Sequence, residues 1–161
     1  MDIDRIDLAI IRELERDGRL SHVELAERVG LSPTACARRQ KTLEEAGYIT
    51  GYSARLSLDK FDLAISVVIR IALEKQSEEA LVAFEKAVQR CPSIVRCLLM
   101  SGMDDYLITV VARDIADYER IHMTQLSRLP GVARLHSSFA LRSIVDRAVP
   151  PEVFMPGAGG R

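Results

Sequence analysis

The sequence predicts an α+β protein made of two unlike parts, a helix-turn-helix unit followed by a ferredoxin-like unit. Three observations lead there. Residues 1–52 place apolar side chains at helical spacing between strong start and stop signals. Residues 64–145 switch to strict apolar alternation interrupted by two helical stretches. The two halves share no repeat, and 161 residues accommodate one or two small domains.

In the first half, Asp4 reads as the N-cap of a helix whose stripe is Ile3, Ile6, Ile10 and Leu14, ended by Asp17-Gly18. Ser21-His22-Val23-Glu24 has the form of a capping box, with Leu20 and Leu25 placed as a hydrophobic staple. That second helix runs through Ala26 and Val29 to Gly30. Ser32 then caps a third helix with Pro33 at its first position, where a missing N–H costs nothing. Cys36, Gln40 and Leu43 form one face of it, and Gly47 closes it. Only Gly30-Leu31 separates helices two and three, which forces a sharp crossing. Tyr48 to Leu58 is expected to form a short hairpin turning near Gly51, leading to the linker Asp59-Lys60-Phe61-Asp62.

In the second half, Ile65, Val67, Ile69, Ile71 and Leu73 alternate as a half-buried strand. Ser77 to Arg90 carries Leu81, Phe84 and Val88 at helical spacing, ended by Cys91-Pro92. Ile94 to Ser101 is a second strand, Gly102 to Asp105 a turn, and Tyr106 to Ala112 a third strand. Asp114 caps a helix with Ile115, Tyr118, His122, Leu126 and Leu129 on one stripe, stopped by Pro130-Gly131. Leu135 to Val145 is expected as the fourth strand, giving the order β-α-β-β-α-β. Residues 146–161, rich in Pro and Gly, are expected to be a loose tail.

Composition narrows the function. The chain is 48% hydrophobic and 28% charged, ordinary soluble globular usage. No apolar run reaches the roughly 20 residues of a membrane-spanning helix, and Met1 to Arg5 is too acidic for a secretory signal. Cys36, Cys91 and Cys97 form no CxxC pair, which fits a reduced cytoplasmic protein without metal or cofactor. With 22 Lys+Arg against 23 Asp+Glu, bulk charge cannot carry nucleic-acid binding. A local patch can. Residues 1–62 hold 10 basic and 12 acidic residues, yet residues 32–43 hold Arg38, Arg39 and Lys41 and no acid. Thr34, Arg38 and Lys41 share a face away from Cys36 and Leu43, suited to donating to guanine in a major groove. Ser32 and Thr34 lie at the helix N-terminus, where free N–H groups suit phosphate.

In the second half, Ser101-Gly102-Met103-Asp104-Asp105-Tyr106 is the candidate ligand turn. Gly102 permits close backbone approach, and Asp105 beside free N–H groups suits an amino acid's ammonium and carboxylate. A plain strand-connecting turn has the same composition. One sheet face must remain uncovered by helices. On the first strand it is either Ala64, Ser66, Val68, Arg70 and Ala72 or the aliphatic set, and either composition favours pairing with a second copy.

Taken together, these stretches resemble the Lrp/AsnC family of leucine- and asparagine-responsive regulators, from about Asp4 to Val145. The matching residues are Asp4-Arg5-Ile6-Asp7, Asp17-Gly18-Arg19, Glu24-Leu25-Ala26 and Val29-Gly30-Leu31-Ser32. Leu43 to Ile49 with Gly51-Tyr52, Ser101-Gly102 with Asp105-Tyr106-Leu107, and Leu129-Pro130-Gly131-Val132 complete them. The resemblance implies a winged helix-turn-helix unit over 1–52 (helix-turn-helix about 21–43) and a hinge strand and linker over 53–64. It further implies an effector-binding, oligomerising unit over 65–145. By the same resemblance, double-stranded DNA and a small effector, an amino acid or a similar molecule, are the partners. Dimers assemble further, often to octamers. By the resemblance the effector would touch Ser101, Gly102, Asp105 and Tyr106 at the turn and a hydroxyl on the last strand, that of Ser137. Two departures stand out. Gln40 occupies a third-helix position usually taken by Val or Ile, and Met103-Asp104 precede Asp105.

No catalytic arrangement stands out: HExxH, a nucleophile elbow and a phosphate-binding glycine loop are all missing from the sequence. The alternative from another class is a histidine-dependent tetrapyrrole (sirohaem-type) decarboxylase on the same architecture, drawing on His122 and His136. His122, on an apolar stripe, reads more simply as a packed histidine, and His22 lies at the start of helix two.

Overall fold

In the computed structural model of the chain, which describes residues 2–154, Asp4 opens helix α1 (Arg5–Arg16). Its carboxylate accepts from the N–H groups of Ile6 at 2.9 Å and Asp7 at 2.8 Å. The Asp7 carboxylate accepts from the Asp4 N–H in return, at 3.2 Å. This is a capping box built from two aspartates. Helix α2 (His22–Val29) starts on the reciprocal pair Ser21 and Glu24, and Gly30 ends it in a left-handed conformation, φ +71°. Helix α3 (Pro33–Glu45) follows at once, with the Ser32 hydroxyl accepting from the Ala35 N–H. Ile10, Leu14, Leu25, Ala26, Cys36 and Leu43 close the three-helix core, with Leu20, Val29 and Ile49 packed around it. Each large aliphatic side chain enclosed there contributes about 1.5–3 kcal/mol. Glu13, buried on α1, holds α2 through Arg28 at 3.3 Å, with Arg12 and Arg16 also near it.

Two expectations fail in this unit. The hairpin over Tyr48–Leu58 does not form. The N–H groups of Tyr48 and Ile49 close back on the Leu43 carbonyl, and residues 51–57 then run on without a strand partner. A lone extended segment has no ladder to satisfy it as a strand. The tail, expected to be loose, contains a short 3-10 turn at Pro151–Phe154 that lies against α1, and Asp146 sits 3.5 Å from Arg55. Two successive prolines restrict φ there and favour a tight turn. Of the described residues, 145–154 group with 2–55, and 56–144 form the second unit. Residues 155–161 of the expected tail lie outside the described residues.

The second unit is a four-stranded antiparallel sheet in the order β2-β3-β1-β4, with β1 at Ile65–Leu73, β2 at Ile94–Leu99, β3 at Tyr106–Ala112 and β4 at Val132–Ala140. Helices α4 (Glu78–Val88) and α5 (Ile115–Thr124) supply Phe84, Val88, Tyr118 and Ile121 to one sheet face. The aliphatic set on β1 and its alternates on β3 (Tyr106, Ile108, Val110 and Ala112) are the covered side. Ser66, Val68, Arg70 and Ala72 therefore share the uncovered face with Leu107, Thr109 and Val111. The fourth strand is displaced from its expected bounds: it begins at Val132, just after the left-handed Gly131, and ends at Ala140. Its partner sets that limit, because β1 begins at Ile65 and Ser66 is already paired with Ala140. Leu141, Ile144 and Val145 are left exposed. Helix α5 also stops short of expectation, with Leu126–Arg128 tightening into a 3-10 turn.

Candidate nucleic-acid interface and ligand turn

Helix α3 presents two different faces. Cys36 and Leu43 are buried, while Thr34, Arg38 and Lys41 are exposed. Arg38 makes no ion pair among the described residues; only its backbone carbonyl is engaged, by the Thr42 hydroxyl. Lys41 lies 3.6 Å from Glu45, an exposed pair one turn along. Such a pair is worth a few tenths of a kcal/mol and yields readily to a phosphate. Ser32, at the N-terminus, spends its hydroxyl on the cap.

Arg39 departs from the expected set. It turns from the exposed face toward α1, where one guanidinium nitrogen donates to Asp4 at 2.7 Å and Asp7 at 2.8 Å. The Asp7 side chain is 4% exposed, so this pair ties α3 to the start of α1. Hydrogen bonds from the Asp7 N–H and from Arg39 hold the Asp4 carboxyl below its ordinary range. The same two aspartates push the Arg39 guanidinium up.

In the second unit, the β2–β3 turn holds Ser101 and Gly102 in the open. Gly102 adopts φ +129°, a conformation that residues with side chains rarely take, and Met103 is 89% exposed. Asp105 is not free to meet an ammonium as expected. One oxygen accepts from the Leu73 N–H at 2.7 Å, the other from the Gln76 amide at 2.8 Å, and the residue is buried. It braces the end of β1 to the turn. Tyr106 is also turned inward. Its ring stacks on Phe84, centroids 4.5 Å apart, and its hydroxyl donates to Glu85 at 2.8 Å. Burial raises its pKa, with Glu85 adding to the effect. Alternation explains the inward ring: Tyr106 is in phase with Ile108 and Val110.

Ser137 lies on β4 opposite Ile69, its hydroxyl sharing a hydrogen bond with that of Tyr118. Strand β1 stands between β4 and β3. Two strand spacings, about 10 Å, separate β4 from the line of the turn, and Ser137 turns to the helix-covered side with Tyr118, so no contact joins it to the turn among the described residues. What the sequence reading missed is the charge beside the turn. Asp104 sits between Arg70 of β1 at 4.0 Å and Arg134 of β4 at 3.5 Å. The available signal was Arg70 itself, a lone cation in a nine-residue apolar strand. His122 is half-buried beside Tyr118, with ring centroids 6.2 Å apart, and His136 is exposed on β4.

Residues 3–50 match the family model described as a winged helix-turn-helix DNA-binding domain. Residues 66–150 match that of the Lrp/AsnC ligand binding domain. The chain belongs to the Lrp/AsnC family of DNA-binding transcriptional regulators. Among its relatives in that family is the Bkd operon transcriptional regulator of Pseudomonas aeruginosa, 44% identical over 93% of this chain and 98% of the relative. The leucine-responsive regulatory protein of Escherichia coli K12 is 43% identical over 81% and 80% of the two chains. A transcriptional regulator of Neisseria meningitidis, solved as its L-Met complex, superposes with a TM-score of 0.87 at 33% identity, covering 93% of this chain and 97% of that one. An AsnC family regulator from Agrobacterium tumefaciens also reaches 0.87, at 34% identity and over 95% and 99% of the chains. These relatives are regulators, and the tetrapyrrole decarboxylase alternative finds no support among them. Among the described residues, no helix is long and apolar enough to cross a membrane.

Proposed function

We propose that this family member is a cytoplasmic, non-enzymatic regulator that reads a specific duplex with the exposed face of α3. The observation that supports this most is the exposed cationic face itself: Thr34, Arg38 and Lys41 outward on a helix whose residues 32–43 hold no acid, with Lys41 held only by an exposed pair to Glu45. Arg38 is the base-reading candidate, because its guanidinium makes no ion pair among the described residues. Lys41 and the N-terminal turn at Ser32 and Thr34 serve phosphates. Arg39 leaves the DNA-facing set and becomes a brace. The effector is an amino acid or a close analogue, as the L-Met complex of the Neisseria relative suggests. It docks on the Ser101-Gly102 turn beside Asp104, Arg70 and Arg134, with Asp105 and Tyr106 supporting the turn from within. Ser137, on the side of the sheet that carries Tyr118, joins that site only from another copy, through contacts other than those of a homodimer that pairs its uncovered sheet faces and assembles further, up to an octamer.

The test is retardation of a duplex selected from random sequence by the wild-type protein. Arg38→Ala is expected to cost about 1–3 kcal/mol at one base pair and to relax preference there. Unchanged affinity would remove Arg38 from the interface. A thermal-shift screen of the twenty amino acids then identifies the effector, since a ligand that binds only the folded state raises its stability.

A further inference from the structure

Gln40 lies on the side of α3 shared by Cys36 and Leu43, yet it does not pack as an apolar residue would. Its amide nitrogen donates to the Tyr52 hydroxyl oxygen at 2.8 Å and to Glu44 at 3.1 Å. The Tyr52 hydroxyl donates to the same Glu44 oxygen at 2.8 Å. Three side chains thus close a ring of hydrogen bonds. Gln40 keeps a buried carbonyl oxygen with no partner among the described residues, an arrangement that packing alone would disfavour. The Tyr52 ring lies over Gly18, where an added Cβ would come within 3.2 Å of it. One residue outside the three helices therefore touches the turn that ends α1 and grips the last two turns of α3.

The chemistry of the ring is stable around neutral pH. Burial and the Glu44 carboxylate push the Tyr52 hydroxyl up to about 12. The Tyr52 hydrogen bond, with that of Gln40, holds Glu44 below the usual carboxylate range. Tyr52 stays a neutral donor and Glu44 a charged acceptor, a pairing stronger than a neutral one. Residues 40 and 44 sit one turn apart, so holding both fixes the rotation of α3 about its axis. Arg38 projects from that same helix, and recognition tolerates only about 10–20° of misorientation.

We propose that Gln40, Glu44 and Tyr52 form a polar latch that sets the rotation of α3, making Gln40 and Tyr52 positioning residues for DNA reading. The proposal rests on the reading of α3 as the DNA-contacting helix. Residues 51–57 lead from the latch toward the second unit, so the latch also anchors the connecting segment.

The experiment uses the full chain and the selected duplex, comparing Tyr52→Phe, Gln40→Ala, their double variant and Arg38→Ala. Tyr52→Phe keeps the ring on Gly18 and loses only the hydroxyl. It is expected to weaken specific binding about two- to tenfold, with binding to random duplex unchanged. The double variant should be no weaker than the worse single variant, because both break one ring. Trypsin should also cut faster after Arg55 in Tyr52→Phe, a readout of the anchored segment. Single-variant effects that multiply, or wild-type affinity in Tyr52→Phe beside a weakened Arg38→Ala, would overturn the latch alone. Wild-type affinity in Arg38→Ala would overturn the α3 reading and the latch with it.

Discussion

Replacing Arg39 with alanine removes a guanidinium nitrogen that donates to two carboxylates of α1, Asp4 at 2.7 Å and Asp7 at 2.8 Å. The two arms differ in worth. Asp4 is 49% exposed, and an exposed ion pair contributes between nothing and about 1 kcal/mol. Asp7 is 4% exposed, and a hydrogen bond to an enclosed charge contributes about 1.5–3 kcal/mol. The variant leaves Asp7 with the Asp4 N–H as its remaining donor, and water reaches it through the gap left by a 31% exposed arginine. A net loss of about 1–3 kcal/mol follows. In a domain of roughly this size each kcal/mol lowers Tm by about 4–8 °C, so the first unit should melt about 5–20 °C earlier by calorimetry on the full chain. A double-mutant cycle with Asp7→Asn should return most of that loss as coupling. The competing assignment, Arg39 on a phosphate, has its own signature. The slope of log K against log salt would fall by about 0.9 for each phosphate no longer neutralised, while Tm stayed put. That pair of results would refute the brace.

Three further outcomes are expected. Asp105→Ala should cost the second unit about 1–3 kcal/mol in urea unfolding, because the Leu73 N–H loses its buried acceptor; an unchanged midpoint would show that the brace carries no strength. Gly102→Arg forces a side chain onto φ +129° at the exposed turn and should abolish the amino acid thermal shift while DNA retardation persists; a surviving shift would move the effector site elsewhere. The advantage of wild type over Asp4→Asn should hold at neutral pH and shrink below about pH 4. Asp4 is lowered in the folded state from 3.8, so its contribution is complete above the unfolded value and is lost as pH falls through the folded one. An advantage that persists at about pH 2 would contradict this.

Local signals are legible where they are self-contained. Caps at Asp4, Ser21 and Ser32, the stop at Gly30 and the alternation of β1 and β3 each depend on residues within a few positions, and all appear in the structure. The bounds of β4 depend on where β1 begins, a non-local fact, which is why Leu135–Val145 misplaces the strand. Arg39 and Asp105 mislead for a related reason. A charge in a basic helix or a polar turn looks available until the fold supplies its partner, here Asp7 across 32 positions and the Leu73 N–H across 32. Tyr106 could have been read correctly, since its phase with Ile108 already points inward. Gln40 is visibly unusual in the sequence, but its partner Tyr52, 12 positions on, emerges only from the folded chain.

The enclosed thiol of Cys36 gives the first unit a built-in clock. It has no accessible surface, and burial pushes its pKa up, so an alkylating reagent must wait for the helices to part. The rate of its modification, read peptide by peptide against half-buried Cys91 and Cys97, therefore measures how often the unit opens. Duplex that binds only the closed first unit should slow that clock in proportion to its binding.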